Sequence, residues 1–113
     1  MPHDPAADSD LVAIYTTTAT PEDADRLARS LLDAKLIACA NRFAAGVSHY
    51  VWENEIRSEP ESVLICKTTE AKAADAIAAI ERLHPYDVPC ATVFRIESGS
   101  AAYLDWVRGS VAE

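Results

Sequence analysis

The sequence predicts an α+β fold, a small antiparallel sheet that carries helices, and three observations lead to this class. Segments rich in β-branched residues alternate with segments whose apolar residues recur at helical spacing. Their order is strand, helix, strand, strand, helix, strand, followed by a last helix. The chain has 113 residues, of which 50% are hydrophobic, so its size fits one domain with a real core.

The first two elements are a strand and a helix. The segment LVAIYTTT, Leu11 to Thr18, is rich in β-branched residues and predicts a buried strand. Thr20 is suited to cap a helix that begins at Pro21, because proline fits the first helical position. This helix is expected to end near Lys35. Residues 1–10 are polar and contain prolines, and we expect them to form a flexible tail ahead of the domain, residues 11–113.

A long hairpin is predicted in the middle of the chain. Its first strand runs from Leu36 to Ile56, with a bend or bulge at Gly46 and a tip near Asn54. Its second strand is ESVLICKTT, Glu61 to Thr69. Pro60 is expected just before that strand, where no backbone donor is needed.

The remaining segments complete the fold. EAKAADAIAAIERLH is a second helix that Pro85 ends, CATVFRI is a fourth strand, and Leu104, Val107 and Val111 mark a short C-terminal helix. The order βαββαβ is the ferredoxin-like pattern, in which two helices cover one face of the antiparallel sheet. The other face is left needing cover, so we expect self-association in which sheets pack against one another.

Composition excludes several classes of function. The net charge of -8 argues against nucleic acid or an anionic membrane surface as partner. No apolar run is long enough to span a bilayer, and the first residues do not resemble a signal peptide. The three cysteines, Cys39, Cys66 and Cys90, are isolated, which is typical of reduced thiols and predicts a cytoplasmic location.

Catalytic motifs are missing from the sequence. It has no G-x-S-x-G, no P-loop and no G-x-G-x-x-G, and its three glycines are scattered. Cys39 and Cys66 lie within predicted strands, where a small buried hydrophobe is the expected role. We therefore predict a protein that is no enzyme and has no organic cofactor.

The stretch ERLHPYDVPC holds the candidate metal ligands, His84 and Cys90. An imidazole and a thiolate together suit copper or another divalent cation such as zinc. The alternative is that the two prolines stiffen a connector between helix and strand, with His84 finishing the helix. A further candidate is the set of carboxylates around Arg57 at the hairpin tip, which suits either a hard cation or a solvated surface.

Aromatic residues suggest a second kind of site. Tyr50 and Trp52 share one face of the predicted strand, and aromatic residues with a polar edge suit interfaces and pocket rims. Packing between subunits is one interpretation. A small-ligand pocket lined by Trp52, Lys67 and Tyr86 is the other.

Five motifs in a fixed order give the chain a family resemblance: IACAN, HYVWENEI, KTT, LHPYDVP and AYLDWV. Together they resemble the CutA family of divalent-cation tolerance proteins over about residues 11–110. The resemblance implies a ferredoxin-like subunit in a cytoplasmic homotrimer, and a connection to copper and other divalent cations. It also permits an alternative, a signalling or scaffold trimer that binds a small molecule or protein in clefts between subunits.

The sequence departs from the family pattern at the implied copper site. Some members bind copper through a cysteine at the end of the first strand and a pair of histidines before the proline. The corresponding positions here are Thr16 and Leu83, and only His84 is retained. Many members have glutamate where this chain has Cys90, which is a candidate substitute ligand.

Overall fold

The structure is a computed structural model that describes residues 10–112. Its elements are β1 (Leu11–Thr18), α1 (Pro21–Asp33), β2 (Cys39–Trp52), β3 (Glu55–Thr69), α2 (Glu70–Leu83), β4 (Ala91–Arg95) and α3 (Ala101–Val111). The strands form one antiparallel sheet in the order β2-β3-β1-β4, which confirms the predicted α+β fold. The predicted tail lies outside the described residues except for Asp10. Within the described range, no helix is long and apolar enough to cross a membrane.

The sheet has one face that is covered by α1 and α2. Side chains alternate along a strand, so Val12, Ile14, Leu64 and Cys66 all point to this helical face, where they are almost fully buried. The covering helices contribute small and branched apolar residues, namely Ala24, Leu27, Leu31, Ala76, Ala79 and Ile80. The main core therefore lies between the sheet and the two predicted helices.

The opposite face, which we call the open face, is covered at one end only. There α3 packs the apolar stripe predicted for it, Leu104, Val107 and Val111, against Leu11 and Ala38. Farther along the same face, Phe43 and Phe94 remain 56% and 58% exposed. The expectation of an uncovered face thus applies to the part of the sheet beyond α3.

The two long strands extend past the sheet as a hairpin. β1 pairs with β3 only over Ser62–Thr69, so residues 46–52 and 55–61 pair only with each other and form what we call the hairpin arm. A register shift between Phe43 and Gly46 places a bulge where the sequence predicted one. Glu53 and Asn54 make the turn with positive φ angles of 51° and 66°, a conformation that asparagine tolerates well.

Two residues of the arm have special backbone requirements. A side chain at Gly46 would bring its Cβ to 2.8 Å from the backbone carbonyl oxygen of Glu61, so only glycine fits without a shift. Pro60 lies inside β3, opposite Val47, and the prediction that it precedes the strand is wrong because β3 begins at Glu55. Proline is tolerated there because this part of β3 is paired on one side only within the described residues.

Candidate functional site

A cleft of about 750 Å³ lies between the hairpin arm, the end of β1 and the connector that follows α2. Its lining combines aromatic rings, carboxylates and one arginine: Tyr15, Thr17, Ala19, Ser48, His49, Tyr50, Trp52, Arg57, Glu59, Glu61, Tyr86, Asp87, Val88 and Cys90. Of the site residues predicted from the sequence, the cleft brings together Trp52, Tyr86 and Cys90. His84 and Lys67 lie outside its lining.

Glu61 ties the connector to the arm. One of its carboxylate oxygens accepts a hydrogen bond from the hydroxyl of Ser48, and the other accepts one from the hydroxyl of Tyr86 at 3.0 Å. Desolvation, followed by this contact with Glu61, raises the pKa of Tyr86 to about 12. Tyr86 therefore stays protonated at neutral pH and acts as a hydrogen-bond donor.

A second tyrosine–carboxylate pair lies farther out on the arm. The hydroxyl of Tyr50 donates to a carboxylate oxygen of Glu59 at 2.7 Å, and this hydrogen bond is the main cause of the raised pKa of Tyr50. Tyr50 and Trp52 lie two residues apart on β2, on the same face as Glu59 and Glu61 of β3. Strand alternation thus places rings and carboxylates together on one surface.

His84 is buried, and both of its ring nitrogens have partners. Nε2 donates to the carbonyl oxygen of Thr17 at 2.7 Å, while Nδ1 accepts from the backbone N–H of Tyr86 at 3.1 Å. The imidazole also lies against the ring of Tyr86, with 4.6 Å between ring centroids. His84 therefore holds the connector against the end of β1, and it can bind a metal ion only by giving up one of these hydrogen bonds.

Cys90 is exposed at the cleft and carries a free thiol. Desolvation, and secondarily the carboxylate of Glu61, raises the pKa of this thiol, which disfavours the thiolate that binds metals. Among residues 10–112, no three side chains of histidine, cysteine, aspartate or glutamate are grouped so that they could hold a metal ion. The described part of the chain therefore does not contain a complete metal site.

Lys67 lies far from the other predicted pocket residues. Its ammonium group donates to the side-chain oxygen of Asn41 at 2.5 Å, and it pairs in the sheet with Cys39. Trp52 pairs with Glu55 at the opposite end of the same hairpin. Twelve residue steps along β3 separate the two positions, which corresponds to about 40 Å. Lys67 and Trp52 of one chain therefore cannot line the same cleft.

The remaining candidate positions are also located. Thr16 is fully buried, and its hydroxyl has no hydrogen-bond partner among the described residues. Leu83 is 46% exposed at the end of α2. Of the tip carboxylates, Glu55 lies 3.8 Å from Arg57, whereas Glu59 and Glu61 line the cleft. The sequence patterns did not identify Tyr15 and Thr17 as cleft residues. They line the cleft because β1 ends beside the connector.

The fold and the cleft define the class of protein: a small ferredoxin-like domain with an extended β-hairpin and a cleft at the base of that hairpin. The family model for CutA1 divalent ion tolerance proteins matches residues 12–110. The chain belongs to this family.

Individual relatives agree over nearly their whole length. The divalent-cation tolerance protein CutA of Thermotoga maritima is 36% identical over 101 residues, which span 89% of this chain and 99% of that protein. The crystal structure of the divalent ion tolerance protein CutA1 from Ehrlichia chaffeensis has a TM-score of 0.90 at 39% identity, covering 94% of this chain and 99% of that one. The structure of the periplasmic divalent cation tolerance protein CutA from Archaeoglobus fulgidus gives a TM-score of 0.87 at 35% identity, covering 90% of this chain and 99% of that chain.

Proposed function

We propose that the protein is a cytoplasmic homotrimer that binds or responds to copper or another divalent cation and does not catalyse a reaction. Membership of the divalent-cation tolerance family is the observation that carries the link to metal ions. Two parts of the proposal, assembly and metal binding, are supported by separate features and need separate tests.

The uncovered sheet face supports assembly. Phe43 and Phe94 on the open face are more than half exposed, as are Val47, Val51 and Ile56 on the arm. A two-stranded hairpin is marginally stable by itself in water, so an arm of this length gains from contacts outside its own subunit. Apolar surface of this kind on a protein marks an interaction site. Other copies of the chain are the partner we propose.

Sedimentation velocity tests the assembly. Wild-type protein at micromolar concentration is expected to sediment as a trimer. Phe94→Lys places a charge on the open face and is expected to release monomers, whereas Leu32→Lys, at a 41% exposed position on α1, leaves the trimer intact. A folded wild-type monomer, or equal dissociation of both variants, contradicts the proposal.

Metal binding is proposed to use His84 and Cys90, completed by groups from a neighbouring subunit. In the observed hydrogen-bonding pattern Nδ1 of His84 carries the lone pair, so a metal ion would displace the N–H of Tyr86 from it. Zinc or copper titrations in a calorimeter compare wild type with His84→Gln and Cys90→Ser, and Cys39→Ser serves as the thiol control. Loss of a ligand is expected to weaken binding by at least about tenfold. Unchanged affinity in both variants, with the trimer intact, overturns the assignment.

A second candidate function is supported by the cleft itself. A cavity of about 750 Å³ is within the size range of small-molecule sites, and its lining combines aromatic rings with charged and polar groups that could orient a ligand. In this alternative the trimer is a signalling or scaffold module that binds a small molecule, and metal ions are incidental. Thermal stabilisation by a metabolite, with no response to divalent metals, favours this function over the first.

A further inference from the structure

The cleft carries an excess of negative charge. Its lining contains three carboxylates, Glu59, Glu61 and Asp87, against the single guanidinium of Arg57. Arg57 is itself 3.8 Å from Glu55, which offsets part of its positive charge. The net charge of -8 on the whole chain adds to the negative potential around the cleft. Both the local and the overall charge favour a cationic ligand over an anionic one.

Aromatic rings line the same space. Tyr15, Tyr50, Trp52 and Tyr86 all contribute to the lining, and Trp52 is 55% exposed. Aromatic faces attract alkylammonium groups through cation–π interactions and also pack against alkyl chains. Because the hydroxyls of Tyr50 and Tyr86 are already bonded to carboxylates, their rings are held in place before any ligand enters.

A bare metal ion fits these groups poorly. Hard cations require several oxygen ligands at once, and the described residues contain no such cluster. The cavity of about 750 Å³ also has room for an alkyl chain that rings can contact. An organic cation uses the charge, the rings and the volume together.

We propose that this cleft binds a small aliphatic amine or diamine, with its ammonium group beside Glu59 and Glu61 and its alkyl chain against Trp52 and Tyr86. The inference rests on the second candidate function, that the cleft is a small-molecule site, and names the class of its ligand. Carboxylates supply the charge that selects the amine, and the aromatic rings supply the apolar contact that a metal ion would not use.

Isothermal titration calorimetry of the intact protein tests the proposal with 1,4-diaminobutane as the probe. The neutral analogue 1,4-butanediol and the dianion succinate have the same four-carbon length and serve as ligand controls. The diamine is expected to bind, and the diol and succinate to bind at least about tenfold more weakly. Equal binding of the diol or of succinate overturns the amine assignment while leaving a small-molecule site in place. No binding of any of the three overturns the amine assignment and counts against the second candidate function as well.

Protein variants locate the binding. Glu59→Gln removes a cleft charge, and Trp52→Leu removes a ring while keeping an apolar side chain. Each is expected to weaken diamine binding by about tenfold, because each removes one of the two attractions. Glu81→Gln makes the same charge change at an exposed position on α2, away from the cleft lining, and is expected to leave the affinity unchanged. Equal weakening by Glu81→Gln, or none by Glu59→Gln and Trp52→Leu, overturns the proposal.

Discussion

Replacing His84 with alanine is expected to destabilise the protein substantially. The imidazole is only 7% exposed, and it bonds to the carbonyl of Thr17 at 2.7 Å and to the N–H of Tyr86 at 3.1 Å. Each hydrogen bond contributes about 0.5–1.5 kcal/mol net, and a buried group left without its partner costs about 1–3 kcal/mol. Including the lost packing against Tyr86, we expect the free energy of unfolding to fall by about 2–4 kcal/mol.

Urea unfolding followed by circular dichroism measures this change, at matched subunit concentration because any assembly contributes to stability. His49→Ala is the control: it also removes a histidine with one 2.6 Å hydrogen bond, to Ser58, but at an exposed position. We expect that control to cost less than about 1 kcal/mol. If His84→Ala costs no more than His49→Ala, the connector does not depend on His84 and the reasoning fails.

Three other outcomes follow from the structure. Gly46→Ala forces a 2.8 Å contact between the new Cβ and the backbone across the hairpin, and it should lower the thermal midpoint and reduce the free energy of unfolding by about 1–3 kcal/mol. Gly109→Ala, where the new Cβ meets open space on α3, should raise the thermal midpoint. Opposite results would refute this comparison. Burial raises the pKa of Cys66 to about 12, so its reactive thiolate is scarce at about pH 8. The exposed Cys90 should therefore be alkylated before Cys66, as measured by mass spectrometry, and faster labelling of Cys66 would contradict this. Leu64→Ala, at a 1% exposed core position, should cost about 2–5 kcal/mol in urea unfolding, and a loss below about 1 kcal/mol would be inconsistent with the core.

Local rules were sufficient to predict most of the fold. The side chain of Thr20 accepts a hydrogen bond from the N–H of Asp23. This is the helix cap that a threonine just before a proline predicts. The apolar spacing on α3 identified its buried face, and Gly46 identified the bulge. Pro60 was misplaced because its tolerance depends on β3 being paired on one side, which is a property of the assembled sheet.

The candidate site was less predictable, because strand alternation gives the face of a residue and not its distance from others on that face. Lys67 and Trp52 share the open face, yet the register places them at opposite ends of the hairpin. The partners of His84 and Tyr86, at Thr17 and Glu61, lie 67 and 25 residues away along the chain. Contacts over such separations depend on how the elements pack, which local spacing does not specify.

The hairpin arm also affects how firmly the cleft is shaped. The arm supplies one wall of the cleft through Ser48, Tyr50 and Trp52, but among the described residues its two strands pair in the sheet only with each other. Segments with few neighbours open at lower free energy than the centre of a sheet. A neighbouring molecule that packs against the arm would therefore make one wall of the cleft more rigid. If a ligand binds in the cleft and a neighbouring molecule contacts the arm, the two events are thermodynamically linked, and each changes the affinity of the other by the same factor.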